Sequence, residues 1–105
     1  LHVHVTHETE YMINKEILGL MKKDSYIINT SRGEIVDEIA VVDALKTGTL
    51  GGYATDVVEN EFDDLTKSPI IQAMNEGKNI IVTPHVGGMT IEGQTKAYKW
   101  AINKL

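Results

Sequence analysis

Apolar residues rich in β-branched side chains recur in short bursts at Leu1–Val5, Tyr26–Ile28, Tyr53–Val58 and Ile80–Val82, each closed by polar, Gly or Pro punctuation. That pattern predicts four strands. Between the bursts the apolar spacing widens to the helical period. Asn14 is expected to cap a first helix, because Ile13 and Leu18 then occupy the two positions of a hydrophobic staple and Ile17, Leu18 and Met21 form one stripe. Lys22 and Lys23 follow at the end where the helix dipole favours cations. A second helix is predicted from Asp37, with Val36 and Val41 as its staple, Val41, Val42 and Leu45 facing inward, and Gly48 as its stop. A third opens with Ser68 as cap and Pro69 in the first turn, turns Ile70, Ile71 and Met74 inward and ends at Gly77. The last starts near Thr90 and runs through Ala97, Trp100 and Ala101 to Leu105.

Strands alternating with helices of this length imply parallel β–α units wound right-handed. The expected fold is α/β, a three-layer sandwich in which helices cover both faces of a four-stranded parallel sheet, with residues 1–105 forming a single domain. The strands should follow one another in order, with Leu1–Val5 on an edge. In such sheets ligands bind beyond the carboxyl ends of the strands, so the loops after Val5, Ile28, Val58 and Val82 should open on one rim.

Composition narrows the functions that such a rim can serve. With 105 residues, 42% of them hydrophobic, the chain supports one core. The net charge of −5 is spread along the sequence, which disfavours nucleic acid and anionic membrane surfaces as partners. There is no cysteine, so neither disulfides nor thiolate metal sites can form, and this suits a reducing, cytoplasmic setting. No apolar run approaches the roughly 20 residues of a membrane span, and no basic segment leading into an apolar one opens the sequence. The chain enters Leu1-His2-Val3-His4-Val5 with no initiator Met, as expected of a fragment.

The unusual residues sit in the rim loops. Asn29-Thr30-Ser31-Arg32-Gly33 follows the second predicted strand. Asp56-Val57-Val58-Glu59-Asn60-Glu61 ends the third, and Thr83-Pro84-His85-Val86-Gly87-Gly88 follows the fourth. Arg32, Glu61 and His85 should therefore converge. Reduction of a 2-keto acid needs a proton donor for the developing alkoxide, a cation for the substrate carboxylate and a flat hydride-carrying cofactor close by. His85 can donate the proton, Glu61 can pair with it and Arg32 can clamp the carboxylate. A carboxylate beside an imidazole favours the protonated ring, and a guanidinium matches a carboxylate in bidentate fashion without losing its charge.

Taken in order, these segments resemble the D-isomer-specific 2-hydroxyacid dehydrogenase family over nearly the whole chain. The resemblance is carried by Leu1-His2-Val3-His4-Val5-Thr6, by Asn29 to Gly33, by Ala54-Thr55-Asp56-Val57 with Glu61, and by Thr83 to Gly88. It implies the catalytic half of a Rossmann-type domain, with NAD as cofactor and a small D-2-hydroxy acid as substrate. It assigns Arg32 to binding and polarising the substrate and Glu61 to pairing with His85, the acid/base. It has Asp56 hydrogen-bond the nicotinamide carboxamide, while Thr30, Ser31, Gly87 and Gly88 line the nicotinamide pocket. Two positions depart from the family pattern: His4 stands where Pro is usual, and Phe62 where Pro commonly follows the Glu.

No Gly-x-Gly-x-x-Gly loop follows any strand, and the family's substrate domain has no counterpart here. The chain alone is therefore expected to bind the dinucleotide weakly and not to turn over. The uncovered Leu1–Val5 edge is expected to be hidden in a homodimer or against a missing half-domain. The competing reading is a non-catalytic α/β binding or assembly module, and a weaker one is a flavodoxin-like nucleotide binder. Lone loop Arg and Glu residues are usually solvated, and Asp56 alone would read as a strand-end cap. Gly51-Gly52 reads most simply as a tight strand entry, and Tyr98 and Trp100 as core or interface residues. His2 and His4 share one side of a strand, with His7 near, but no carboxylate at fixed spacing completes a closed metal site, and none is expected.

Overall fold

The computed structural model describes residues 1–104. Its elements run α1 (Lys15–Leu20), β1 (Ser25–Asn29), α2 (Glu38–Lys46), β2 (Leu50–Thr55), α3 (Pro69–Asn75), β3 (Ile80–Val82) and α4 (Ile91–Ile102), with single 3-10 turns at Gly33–Ile35 and Leu65–Lys67. The helix starts follow the expected caps. Asn14 accepts from the Ile17 N–H at 3.1 Å, Asp37 from Ala40 at 3.0 Å, Ser68 from Ile71 at 3.4 Å and Thr90 from Gly93 at 2.9 Å. Both staples are buried, Ile13 with Leu18 and Val36 with Val41. Within the helices the inward residues are fewer than expected. Leu18 alone is buried in α1, while Ile17 is exposed; in α3 Ile70 and Ala73 are buried, with Ile71 and Met74 only partly so.

The sheet is parallel and ordered β1-β2-β3, three strands instead of four. The expected Leu1–Val5 strand does not form. The Leu1 nitrogen donates to the Ile28 carbonyl at 2.7 Å and the Val3 N–H to Ser31 Oγ at 3.1 Å. Leu1 is thus already level with the end of β1, and residues 2–5 run beyond the sheet, where no strand remains to pair with. β2 also begins three residues earlier than expected, and both glycines lie inside it. A Cβ on Gly51 would stand 2.6 Å from the Asp24 carbonyl oxygen, and one on Gly52 2.7 Å from the Tyr26 ring and Asn79 Nδ2. The pair therefore permits close approach to neighbouring chain and does not form a strand entry.

The core joins Ile27, Tyr53 and Ile80 of the sheet to Leu18, Val41 and Ile70 of the helices. On the opposite face Tyr26, Ile28 and Ile81 are more than 60% exposed, so the described fold has two layers, not three. Strands added in one direction through right-handed crossovers place every connecting helix on the same face, which is the physical reason. α4 buries none of its residues, and Tyr98 and Trp100 are exposed rather than in the core. Leu105, expected at the end of this helix, lies outside the described residues. No described helix is long and apolar enough to cross a membrane.

Candidate active site

The carboxyl ends of all three strands meet at one rim, and buried polar residues there shape the loops. Asn29, fully buried at the end of β1, accepts the Ser31 N–H at 3.0 Å and donates from Nδ2 to the Arg32 carbonyl at 2.9 Å. Its side chain thus folds the loop that presents Thr30, Ser31 and Arg32. Its own carbonyl receives the Thr55 hydroxyl and the Asp56 N–H, which ties this loop to the end of β2. Arg32 is exposed, and its Nη1 donates to the Ser31 carbonyl at 2.7 Å. Gly33 follows because nothing larger fits: a Cβ there would lie 2.2 Å from the Glu59 nitrogen and 2.3 Å from the Val58 carbonyl carbon.

His85 sits after β3 with φ of +54°, in the left-handed region that a non-glycine residue enters at a cost. Asp56 holds that turn. Its Oδ1 accepts the Thr83 hydroxyl and the Val86 N–H at 3.0 Å, and its Oδ2 accepts the Gly87 N–H at 2.8 Å. The Thr83 hydrogen bond first, then those from Val86 and Gly87, hold the Asp56 carboxyl below the usual carboxylate range, against the opposing effect of burial.

Glu61 pairs with His85 through Oε1 and Nδ1, and its Oε2 accepts the Val58 N–H at 3.4 Å. The Glu61 side chain is 18% exposed and that of His85 39%, so the pair is shielded on one side and open on the other. With Nδ1 engaged, Nε2 is the ring nitrogen left for a substrate. Arg32, Glu61 and His85 line one cleft of about 390 Å³, together with Gly33, Val58 and Phe62. A fixed cation and an oriented imidazole around one small volume can hold a carboxylate and protonate an adjacent oxygen.

The other expected residues divide into two groups. Thr30 and Ser31 line an adjoining cleft of about 580 Å³ with His2, His4 and Arg32, so Arg32 borders both spaces. Thr30 Oγ1 and His2 Nδ1 are 3.3 Å apart there. Asp56, Gly87 and Gly88 belong to the turn around His85; a Cβ on Gly88 would meet nothing within 4 Å. The hydroxyls of Thr30 and Ser31 and this bare backbone suit the nicotinamide end of a dinucleotide, while the sequence supplies no glycine-rich loop for its pyrophosphate.

Sequence reasoning passed over Glu38, which is buried at the start of α2 and accepts the Glu59 N–H at 2.9 Å and the Ser68 hydroxyl at 3.3 Å. A signal was present: Glu38 lies three and seven residues before Val41 and Leu45, on their apolar stripe. Burial, as the main cause, pushes its carboxyl above the usual range.

Comparison with known proteins gives the site its context. The chain is 39% identical over its full length to a glyoxylate reductase from Thermofilum pendens, of which it spans 30%. It is 46% identical over 82% of its length to a glycerate dehydrogenase from Methylorubrum extorquens, spanning 26% of that protein. Among solved structures, 90% of the chain superposes on 27% of an NAD-dependent formate dehydrogenase from Staphylococcus aureus in complex with NAD, with a TM-score of 0.78 and 37% identity. A D-lactate dehydrogenase with NAD+ from Lactobacillus jensenii gives a TM-score of 0.73 at 32% identity, covering 82% of this chain and 28% of that one. The chain therefore spans less than a third of each of these relatives. Residues 1–87 match the family model described as D-isomer specific 2-hydroxyacid dehydrogenase, NAD binding domain, and it is to this family that the chain belongs.

Proposed function

We propose that residues 1–105 form the catalytic part of a nicotinamide-binding domain whose whole protein interconverts a small 2-keto acid and its D-2-hydroxy acid. The observation that carries this reading is the single cleft bordered by Arg32, Glu61 and His85, with Glu61 on the Nδ1 side of the ring. Arg32 holds the substrate carboxylate and draws electron density from the adjoining carbonyl. His85, protonated, gives its Nε2 proton to the carbonyl oxygen as it becomes an alkoxide, and takes it back in the reverse direction. Glu61 holds Nδ1 and so fixes the ring's orientation, with Nε2 left toward the substrate. Thr30 and Ser31, with the Gly87–Gly88 backbone, border the place for the nicotinamide, and Asp56 serves its carboxamide with the accepting capacity that the His85 turn leaves free. When bound, the dinucleotide supplies or accepts the hydride.

The remainder of the protein supplies the pyrophosphate site and the substrate domain. It covers the bare face of Tyr26, Ile28 and Ile81 and the segment Leu1–Val5, either in the same chain or through a homodimer. The setting is cytoplasmic. The first test is fluorescence titration of the chain with NADH: weak or no saturation is expected, because most dinucleotide contacts lie outside these residues. Tight binding would contradict the division of labour proposed here.

The alternative reading, a non-catalytic assembly module, is favoured by one observation, the exposed apolar face of the sheet. It separates from the first by the effect of His85→Ala, which an assembly role leaves without consequence.

A further inference from the structure

Glu61 hangs from a long connection between β2 and α3, and most hydrogen bonds inside that connection are local. The Asp63 N–H returns to Asn60, the Lys67 N–H to Asp64, and Thr66 to the Asp64 side chain. Such turns fix shape but not position. Position comes from ties to the body of the protein, and Glu38 makes two of them, one near each end. Its Oε1 accepts the Glu59 N–H, two residues before Glu61, and its Oε2 accepts the Ser68 hydroxyl, where α3 begins. Glu38 stands in the first turn of α2, next to Val41, Val36 and Ile35, which are among the most deeply buried side chains of the chain.

The Val58–Glu59 peptide is thereby clamped from two sides. Gly33 lies flush against it from the Arg32 loop, while Glu38 holds its N–H. The Tyr11 hydroxyl adds a third tie by donating to the Glu59 carboxylate, and this hydrogen bond pushes the phenol up to about 12, so it remains a donor throughout the neutral range. The same Val58 whose carbonyl carbon meets Gly33 gives its N–H to Glu61 Oε2. A continuous set of contacts thus runs from the interior of α2 through Glu38 to the peptide beside Arg32, then to Glu61 and the His85 ring.

We propose that Glu38 is a positioning residue of the active site: from the buried start of α2 it fixes the Glu59–Ser68 segment so that Glu61 meets His85 Nδ1. Its consequence for turnover rests on the acid/base reading of His85, but the coupling itself is a property of the chain alone. Two features support a specific role. A carboxylate on an apolar stripe is retained against the cost of burial, and both of its oxygens are spent on the loop instead of on α2's own free N–H groups.

The test reads the His85 ring nitrogens by NMR in the ¹⁵N-labelled chain, assigned by their loss in His85→Ala. In the unmodified chain Nδ1 keeps its proton, held toward Glu61, and Glu61→Ala gives the reference pattern for an unpaired ring. Glu38→Leu removes both ties and is expected to move His85 most of the way to that reference while the signals of Val36, Val41 and Ile70 persist. Glu38→Gln still accepts the Glu59 N–H and turns its amide to the Ser68 oxygen, so it is expected to keep the unmodified pattern. Should Glu38→Leu fail to fold, Ser68→Gly cuts one tie and leaves a tolerated cap, and a partial shift is expected. An unchanged His85 in any folded Glu38→Leu or Ser68→Gly protein overturns the proposal, as does a Glu38→Gln protein that behaves like Glu38→Leu. If the unmodified chain already shows the unpaired pattern, the Glu61–His85 reading itself fails, and the role of Glu38 fails with it.

Discussion

At the scale of single residues, Asp56 and Glu38 carry opposite signs of pH dependence. The Asp56 carboxyl is held below its ordinary range, so the stability it contributes is present above the unfolded value of about 3.9 and is lost as pH falls through the lower folded value. Acid unfolding followed by circular dichroism should therefore become less steep in Asp56→Asn, with the His85 turn loosened at neutral pH. Glu38 is raised, so its contribution is complete below about 4.3 and declines as pH rises through its folded value. Glu38→Gln should accordingly flatten the stability profile between the unfolded and the raised folded value. Gly33→Ala forces backbone apart at Val58 and Glu59 and should cost about 1–3 kcal/mol in a denaturant melt. The convergence of Arg32, Glu61 and His85 on one cleft was legible because each stands in a short strand-end motif and the strands are parallel. Glu38 was not, because a Glu in the first turn of a helix ordinarily answers the dipole at the surface. Its place on the Val41–Leu45 stripe is the one sequence signal that it turns inward.

At the scale of elements, local chemistry set the helix starts and long-range contact set the strands. Asn14, Asp37, Ser68 and Thr90 cap the helices as their sequence context implied, because capping depends on residues within one turn. Asp37→Ala should cost about 1 kcal/mol of stability, read as a lower melting temperature. Gly51 and Gly52 resemble punctuation, so the pattern starts β2 too late at Tyr53, whereas their use is to admit the Asp24 carbonyl, the Tyr26 ring and Asn79. The apolar, β-branched run Leu1–Val5 predicts a strand from local pattern. A strand also needs a neighbour at its own level, and the end of β1 leaves none for residues 2–5. Val41, fully buried between sheet and helices, should lose about 2–3 kcal/mol on truncation to Ala, less than a larger core side chain would.

At the scale of the whole molecule, the α/β class and the shared rim followed from the alternation of elements, but the number of layers did not. One-directional winding leaves Tyr26, Ile28 and Ile81 bare, and α4, which follows the last strand, buries no residue. The exposed apolar surface is therefore mainly a sheet face and a helix, not the single edge strand expected from sequence. The isolated chain should bind an apolar dye at this face, and Ile28→Lys should reduce that fluorescence without lowering the melting temperature. The rim is indifferent to this exposure because Asn29, Asp56 and Glu38 fix its loops from within the described residues. That independence permits a direct trial in a complete enzyme. Residues 1–105 should replace the matching segment of the Thermofilum pendens glyoxylate reductase, to which they are 39% identical, and glyoxylate reduction should be measured with His85 and with His85→Ala. The account predicts turnover in the folded chimera and a loss of about 10²-fold or more on removal of the imidazole. A folded chimera whose turnover is the same with and without His85 would contradict it.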